Sequence, residues 1–142
     1  MTPLSLIVIF CFGLGMLNVF GQTSQKDTSI APVIVSFGKK FKSTINCIDT
    51  MTMEDIQKID SLSITDLKGK ETDYKIIGFT ITATVNKLVI DENSSTNKLT
   101  IKQKDLINLL HNKNKIYLEN VRVIKDGVIK MANSIIVVIK EK

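Results

Sequence analysis

Histidine and cysteine are nearly missing from this chain, with one His and two Cys in 142 residues. That scarcity closes most routes to site chemistry. Zinc and its neighbours are held by converging His, Cys and carboxylate ligands, whereas the acidic residues here are scattered through predicted loops. Asp91-Glu92-Asn93 lacks the alternating oxygen ligands and the Gly-then-Glu positions of an EF-hand, so it reads as part of a solvated loop, Asp91 to Asn97. Nucleophilic catalysis needs a Ser, Thr or Cys set against a base and an oxyanion donor. No Ser stands in a Gly-flanked turn, and His111 alone would have to carry all the proton traffic. His111 reads instead as a solvent-facing helix terminus, where its partial charge suits the helix dipole. The expectation is a protein that is not an enzyme and has no catalytic, metal-ligating or cofactor-binding residues.

A second absence is charge near the start. Residues 3–20 carry none, and no Lys or Arg stands among the first five residues. The apolar run, followed by the polar Thr23 to Ser29, predicts a signal peptide over 1–21, with cleavage after the small Gly21. The alternative is an uncleaved membrane anchor, for which the strongly apolar Leu6 to Phe20 is short against a span of about 20 residues. Cys11 does not indicate lipid attachment, because bulky Phe10 precedes it and the apolar run continues beyond it. Residues 3–21 also hold no ionisable side chain of the kind a proton-driven motor needs inside the bilayer, so a motor subunit is excluded.

Cleavage would leave Cys47 as the only cysteine, without an intrachain disulfide partner. An exported domain of this kind must then be held by burial and hydrogen bonding even in an oxidising compartment, with Cys47 read as a buried inert thiol. The remaining length suits one domain. We expect a flexible leader at 22–29 and a single β domain at 30–142. The net charge of +5 lies wholly outside the signal. Its densest clusters, Lys39-Lys40-Phe41-Lys42 and Lys113-Asn114-Lys115, do not interleave aromatics with Arg, which argues against a nucleic-acid partner.

What is present is strand and turn signal. Tyr74 to Val85 alternates strictly, placing Ile77, Phe79, Ile81, Ala83 and Val85 on one face and Gly78, Thr80, Thr82 and Thr84 on the other. Gly78 marks a bulge or a close backbone approach. Pro32 before Val33 to Phe37 suits an edge strand. Thr52 is a predicted N-cap for a short helix ending near Leu62. Thr100-Ile101-Lys102-Gln103 has the capping-box form and starts a second helix, with Leu106, Ile107, Leu109 and Leu110 as its buried stripe. Ile116-Tyr117-Leu118 and Val121-Arg122-Val123 alternate in different phases, which predicts a bulge near Glu119-Asn120. Asp126-Gly127 is a type I′ hairpin turn. Without repeats or βαβ rhythm, the pattern predicts a mainly β protein: an antiparallel, immunoglobulin-like β-sandwich with two short helices, preceded by a signal-peptide helix.

Five pieces stand in a familiar order: Ala31 to Ser36; Tyr74 to Ile81; Leu99-Thr100 with Gln103-Lys104; Lys115 to Val121 with Asp126-Gly127; and Ser134 to Lys140. Over residues 31–140 the chain resembles the C-terminal domain of the gliding-motility protein GldM. The resemblance implies the same β architecture and an exported, non-catalytic module that docks periplasmic or cell-envelope protein partners in type IX secretion and gliding machinery. Such docking would use an exposed sheet edge, Ala31 to Phe37 or Ser134 to Lys140, with Lys39, Lys40 and Lys42 steering an acidic partner. The rival expectation is a stand-alone periplasmic ligand-binding or sensory domain on the same scaffold.

Overall fold

The computed structural model describes residues 26–38 and 48–141. The expected signal segment, its cleavage point, Cys47 and the lysines Lys39, Lys40 and Lys42 lie outside the described residues. In chain order the elements are β1 (Lys26–Ile30), β2 (Val33–Phe37), β3 (Ile48–Thr52), α1 (Met53–Gln57), β4 (Leu62–Asp66), β5 (Lys75–Val85), β6 (Leu88–Ser94), α2 (Ile101–Asn108), β7 (Lys115–Lys125), β8 (Val128–Met131) and β9 (Ile135–Lys140). The protein is mainly β, with two short helices and open sheets.

β7 organises the larger sheet. One side of β7 pairs with β5, which pairs in turn with β6. Its other side is shared, β9 running along its N-terminal half and β8 along its C-terminal half, all antiparallel. Beyond them β1 pairs with β8 and β3 with β9, both parallel. The sheet is therefore mixed, where antiparallel pairing throughout was expected. Alternation along a strand reports which faces are wet, but says nothing about the direction of a neighbour brought in from a distant part of the chain. β2 and β4 form a separate antiparallel pair.

Turn chemistry fixes the hairpins. Asp126 (φ +51°) and Gly127 (φ +77°) take the two positive-φ positions that let Lys125 face Val128. Asn86 (φ +51°) and Lys87 (φ +69°) do the same between Val85 and Leu88. That second turn corrects one expectation. Asp91 to Ser94 are not loop but the second half of β6, because the tight turn locks their register against Phe79 to Thr82. The short remainder is also tied down: the Ser94 hydroxyl donates to the Lys98 carbonyl at 2.7 Å, and Leu62 N–H donates to the Asn97 carbonyl at 2.8 Å.

Both predicted N-caps are present. Thr52 Oγ1 accepts from Asp55 N–H at 3.2 Å, and Thr100 and Gln103 close a full capping box at 3.2 and 3.0 Å. α1 stops at Gln57 rather than near Leu62, because Leu62 to Asp66 are taken up by pairing with β2. Leu106 and Ile107 of α2 and Leu110 just beyond its C-cap are buried, but the C-cap Leu109 is 55% exposed and leaves the expected stripe. Lys26 to Ile30 form β1, so the leader expected through Ser29 is strand in its second half.

One apolar core joins these layers. Val35, Phe37 and Leu62 of the smaller sheet, Phe79, Ile81, Leu118 and Ile135 of the larger, and Ile56, Leu106 and Ile107 of the helices are buried in a single cluster. Burying such side chains is worth roughly 1.5–3 kcal/mol each relative to exposure. Gln103 is enclosed among them with no exposed surface, its Nε2 donating to the Glu92 carbonyl at 2.9 Å. It thereby fastens α2 to β6.

Candidate interaction surface

The larger sheet turns one face to the core and the other outward. Its register sets Ile48, Ile136, Tyr117, Thr82 and Asp91 side by side across β3, β9, β7, β5 and β6. Ile48 is 64% exposed, while Ile136, Tyr117 and the neighbouring Val138 are half-buried. An apolar row therefore runs from the edge toward the middle of the outward face. β3 pairs with β9 on one side and has no strand on the other among the described residues. The expected docking edge at Ser134 to Lys140 is corrected by this pairing: β9 is interior, held by β3 and β7 together. β2 does stand at an edge of the smaller sheet, but Val33, Ile34, Val35 and Phe37 are all buried.

A second feature lies further along the outward face, where the β5–β7 register shifts twice. Thr80 faces Glu119, Gly78 faces Arg122 and Ile76 faces Val123, so one extra residue sits on β7 and then one on β5. The two bulges cancel, and pairing resumes in the original register at Ile76 and Val123. Asn120 takes φ +51° in the first. The phase break expected at Glu119-Asn120 is thus present, and so is a bulge on β5 beside Gly78, where the sequence predicted a bulge or a close approach. Ile76, and not the expected Ile77, packs against the core.

Bulges re-aim side chains, and here they gather a polar group. Thr80 Oγ1 donates to Asn93 Oδ1 at 2.7 Å and sits 3.5 Å from Asn120 Nδ2. Arg122 lies over Gly78, where an added Cβ would stand 2.5 Å from Nη2 of the guanidinium and 2.8 Å from the Ser94 carbonyl oxygen. Gly78 is therefore a place of close approach, as its position in the strand suggested. Thr80, Asn93, Asn120 and Arg122, with Ile129 and Met131 at one side, line a depression of about 350 Å³. In the next row Glu119 Oε2 accepts from the Thr82 hydroxyl at 3.2 Å. Sequence reasoning flagged Gly78 but overlooked Arg122. The signal was available, since Arg122 is the only arginine among 19 Lys and Arg.

His111 is exposed just beyond α2, its backbone N–H donating to Asn114 Oδ1 at 2.6 Å. No group of three or more His, Cys, Asp or Glu residues is placed to hold a metal ion among the described residues. No helix among them is long and apolar enough to cross a membrane. The electrostatics of the two helices are local. Lys104 donates to the Asp60 carboxylate and holds its pKa below the ordinary carboxylate value, and Glu54 raises that of Lys58 through a 3.0 Å hydrogen bond. No protein-family model matches the chain, and no curated protein matches it.

Proposed function

We propose that this protein is an exported, non-catalytic interaction module of the GldM C-terminal type, working in the periplasm on protein partners of the secretion or gliding machinery. The reading includes an immunoglobulin-like arrangement, with the β2–β4 pair facing the larger sheet across the shared core. The observation that carries it is the β3 margin. Among the described residues β3 has a strand on one side only, and a sheet margin of this kind can take an added strand, with Ile48, Ile136 and Tyr117 offering apolar contact beside it. Such docking needs no cofactor.

The test is gentle crosslinking of cells followed by purification, comparing the native chain with Ile48→Lys. A charge on an exposed edge residue opposes strand addition while leaving the core intact. Co-purification of ring or motor components with the native chain, reduced in the variant, supports the proposal; equal recovery with both removes the β3 edge from it.

The second reading, a ligand-binding or sensory domain, is favoured by a different observation: the polar depression around Arg122. It predicts a rise in melting temperature with a member of a metabolite panel.

A further inference from the structure

Arginine in place of lysine is a chemical choice, because only the guanidinium presents a planar fork of donors matched to two oxygens at once. This chain uses lysine for every other cation, and its one arginine stands where the strand beneath it has no side chain. Glycine inside a strand weakens it through lost packing and extra unfolded-state entropy. At position 78 the Ser94 carbonyl and the Arg122 guanidinium together occupy the space a Cβ would need. Arg122 is exposed, and its guanidinium rests on the bare backbone at Gly78, where a ligand can reach it from solvent.

The groups around it complete a donor set. Because the Thr80 hydroxyl donates to Asn93 Oδ1, the amide of Asn93 is oriented with its Nδ2 donors left over, and no described group accepts from them. Arg122 makes no ion pair with any described residue. Ile129 and Met131 supply an apolar wall on one side of the depression. Glu119, one row away and tied to Thr82, sets a limit on charge. A phosphate dianion would be repelled by that carboxylate more strongly than a single carboxylate group would, and Lys130, the second cation lining the depression, already donates to the Ser29 hydroxyl at 3.0 Å.

We propose that Arg122, laid over Gly78 and flanked by Asn93, forms a binding site for a single carboxylate group carrying a small apolar substituent. The carboxylate takes two parallel hydrogen bonds from the guanidinium and one from the Asn93 amide, and the substituent lies against Ile129 and Met131. The group has two sources, a free small organic acid or the C-terminal carboxylate of a peptide. The site does not depend on docking at β3, so its failure leaves the β3 proposal standing, and the reverse.

The experiment is a titration of the full-length ¹⁵N-labelled chain followed by NMR, with three probes at constant ionic strength: isobutyrate, a tetrapeptide ending in free Val, and the same tetrapeptide amidated. Saturable shifts of the Asn93 side-chain amide, the Gly78 amide and the Arg122 Nε–H with isobutyrate and with the free-acid peptide, but not with the amidated one, support the site. If the free-acid peptide saturates at a markedly lower concentration than isobutyrate, the peptide terminus is the source; if isobutyrate saturates first, the small acid is. Arg122→Gln should weaken saturation by about tenfold or more, the scale of charge-assisted hydrogen bonds. Arg122→Lys, which keeps the charge and loses the fork, should fall between. The proposal is overturned if the amidated peptide shifts the same resonances equally, or if Arg122→Gln, with its spectrum otherwise native, binds as the native chain does.

Discussion

Replacing Gln103 tests how the helical layer is fixed to the sheet. Its side chain has no exposed surface, accepts from Thr100 N–H at 3.0 Å and donates to the Glu92 carbonyl at 2.9 Å. Gln103→Met keeps nearly the same volume and removes both bonds. Thr100 N–H is then an orphan donor at a helix start, costing roughly 1–3 kcal/mol, with about 1 kcal/mol more for the lost bond to β6. For a domain of this size that is a fall in melting temperature of roughly 10–20 °C. Gln103→Glu is the sharper variant. Its carboxylate can still accept from Thr100 N–H, but only the protonated acid can donate to the Glu92 carbonyl, so burial and this bond both raise its pKa in the folded state. A raised folded pKa means that the variant keeps its stability below the unfolded value of about 4.3 and loses it as pH rises through the folded value. Urea unfolding followed by circular dichroism should therefore show Gln103→Glu near native stability at acid pH and well below it at neutral pH, each measured against the native chain at the same pH. A deficit that does not change with pH, or a Gln103→Met variant within about 0.5 kcal/mol of native, would refute the reasoning.

Gly78→Ala should cost about 1–3 kcal/mol through overpacking against the Ser94 carbonyl, and adding Arg122→Ala should not restore the loss, because the carbonyl remains; urea midpoints of the single and double variants decide it. The Asp60 carboxyl, depressed by its hydrogen bond to Lys104, should titrate at its ordinary value in Lys104→Met when followed by ¹³C NMR. With the sign worked through, the small stability the pair supplies is present above the unfolded carboxylate pKa and is lost as pH falls through the depressed one. Reversing the charge of Lys39, Lys40 and Lys42 together should slow partner association at low salt mainly through the on-rate, read by surface plasmon resonance, and an unchanged rate would remove them from docking.

Local chemistry was the legible part of this fold. Thr100 and Gln103 announce their helix because a capping box is closed by residues three apart, and Asp126-Gly127 announces its hairpin because only certain residues accept positive φ. The strand pairings that bring β1 to β8 and β3 to β9 are not local, and no residue within either strand encodes its distant neighbour. That is why β9 read as an edge. Polar residues misled for a related reason: Asp91, Glu92 and Asn93 look like loop, yet the Asn86-Lys87 turn extends the hairpin through them. At the depression the sequence carried half the message. Gly78 reads as a bulge or close approach and Asn120 falls at a phase break, but only the pairing shows that the extra residue on β7 sets Arg122 opposite Gly78, while the bulge on β5 turns Ile76 rather than Ile77 to the core.

The central claim is that the working part of this protein is its outward sheet face beginning at the β3 edge. Lys115 and Lys140 are exposed and lie in register with β3 or its paired strand β9, Lys115 opposite Val138 and Lys140 opposite Thr52. Crosslinking mass spectrometry on native envelope material measures the claim directly. Crosslinks from Lys115 and Lys140 to an envelope protein, lost with Ile48→Lys, are the predicted result; partner crosslinks confined to Lys68 and Lys70 beyond β4, unchanged by that substitution, would contradict it.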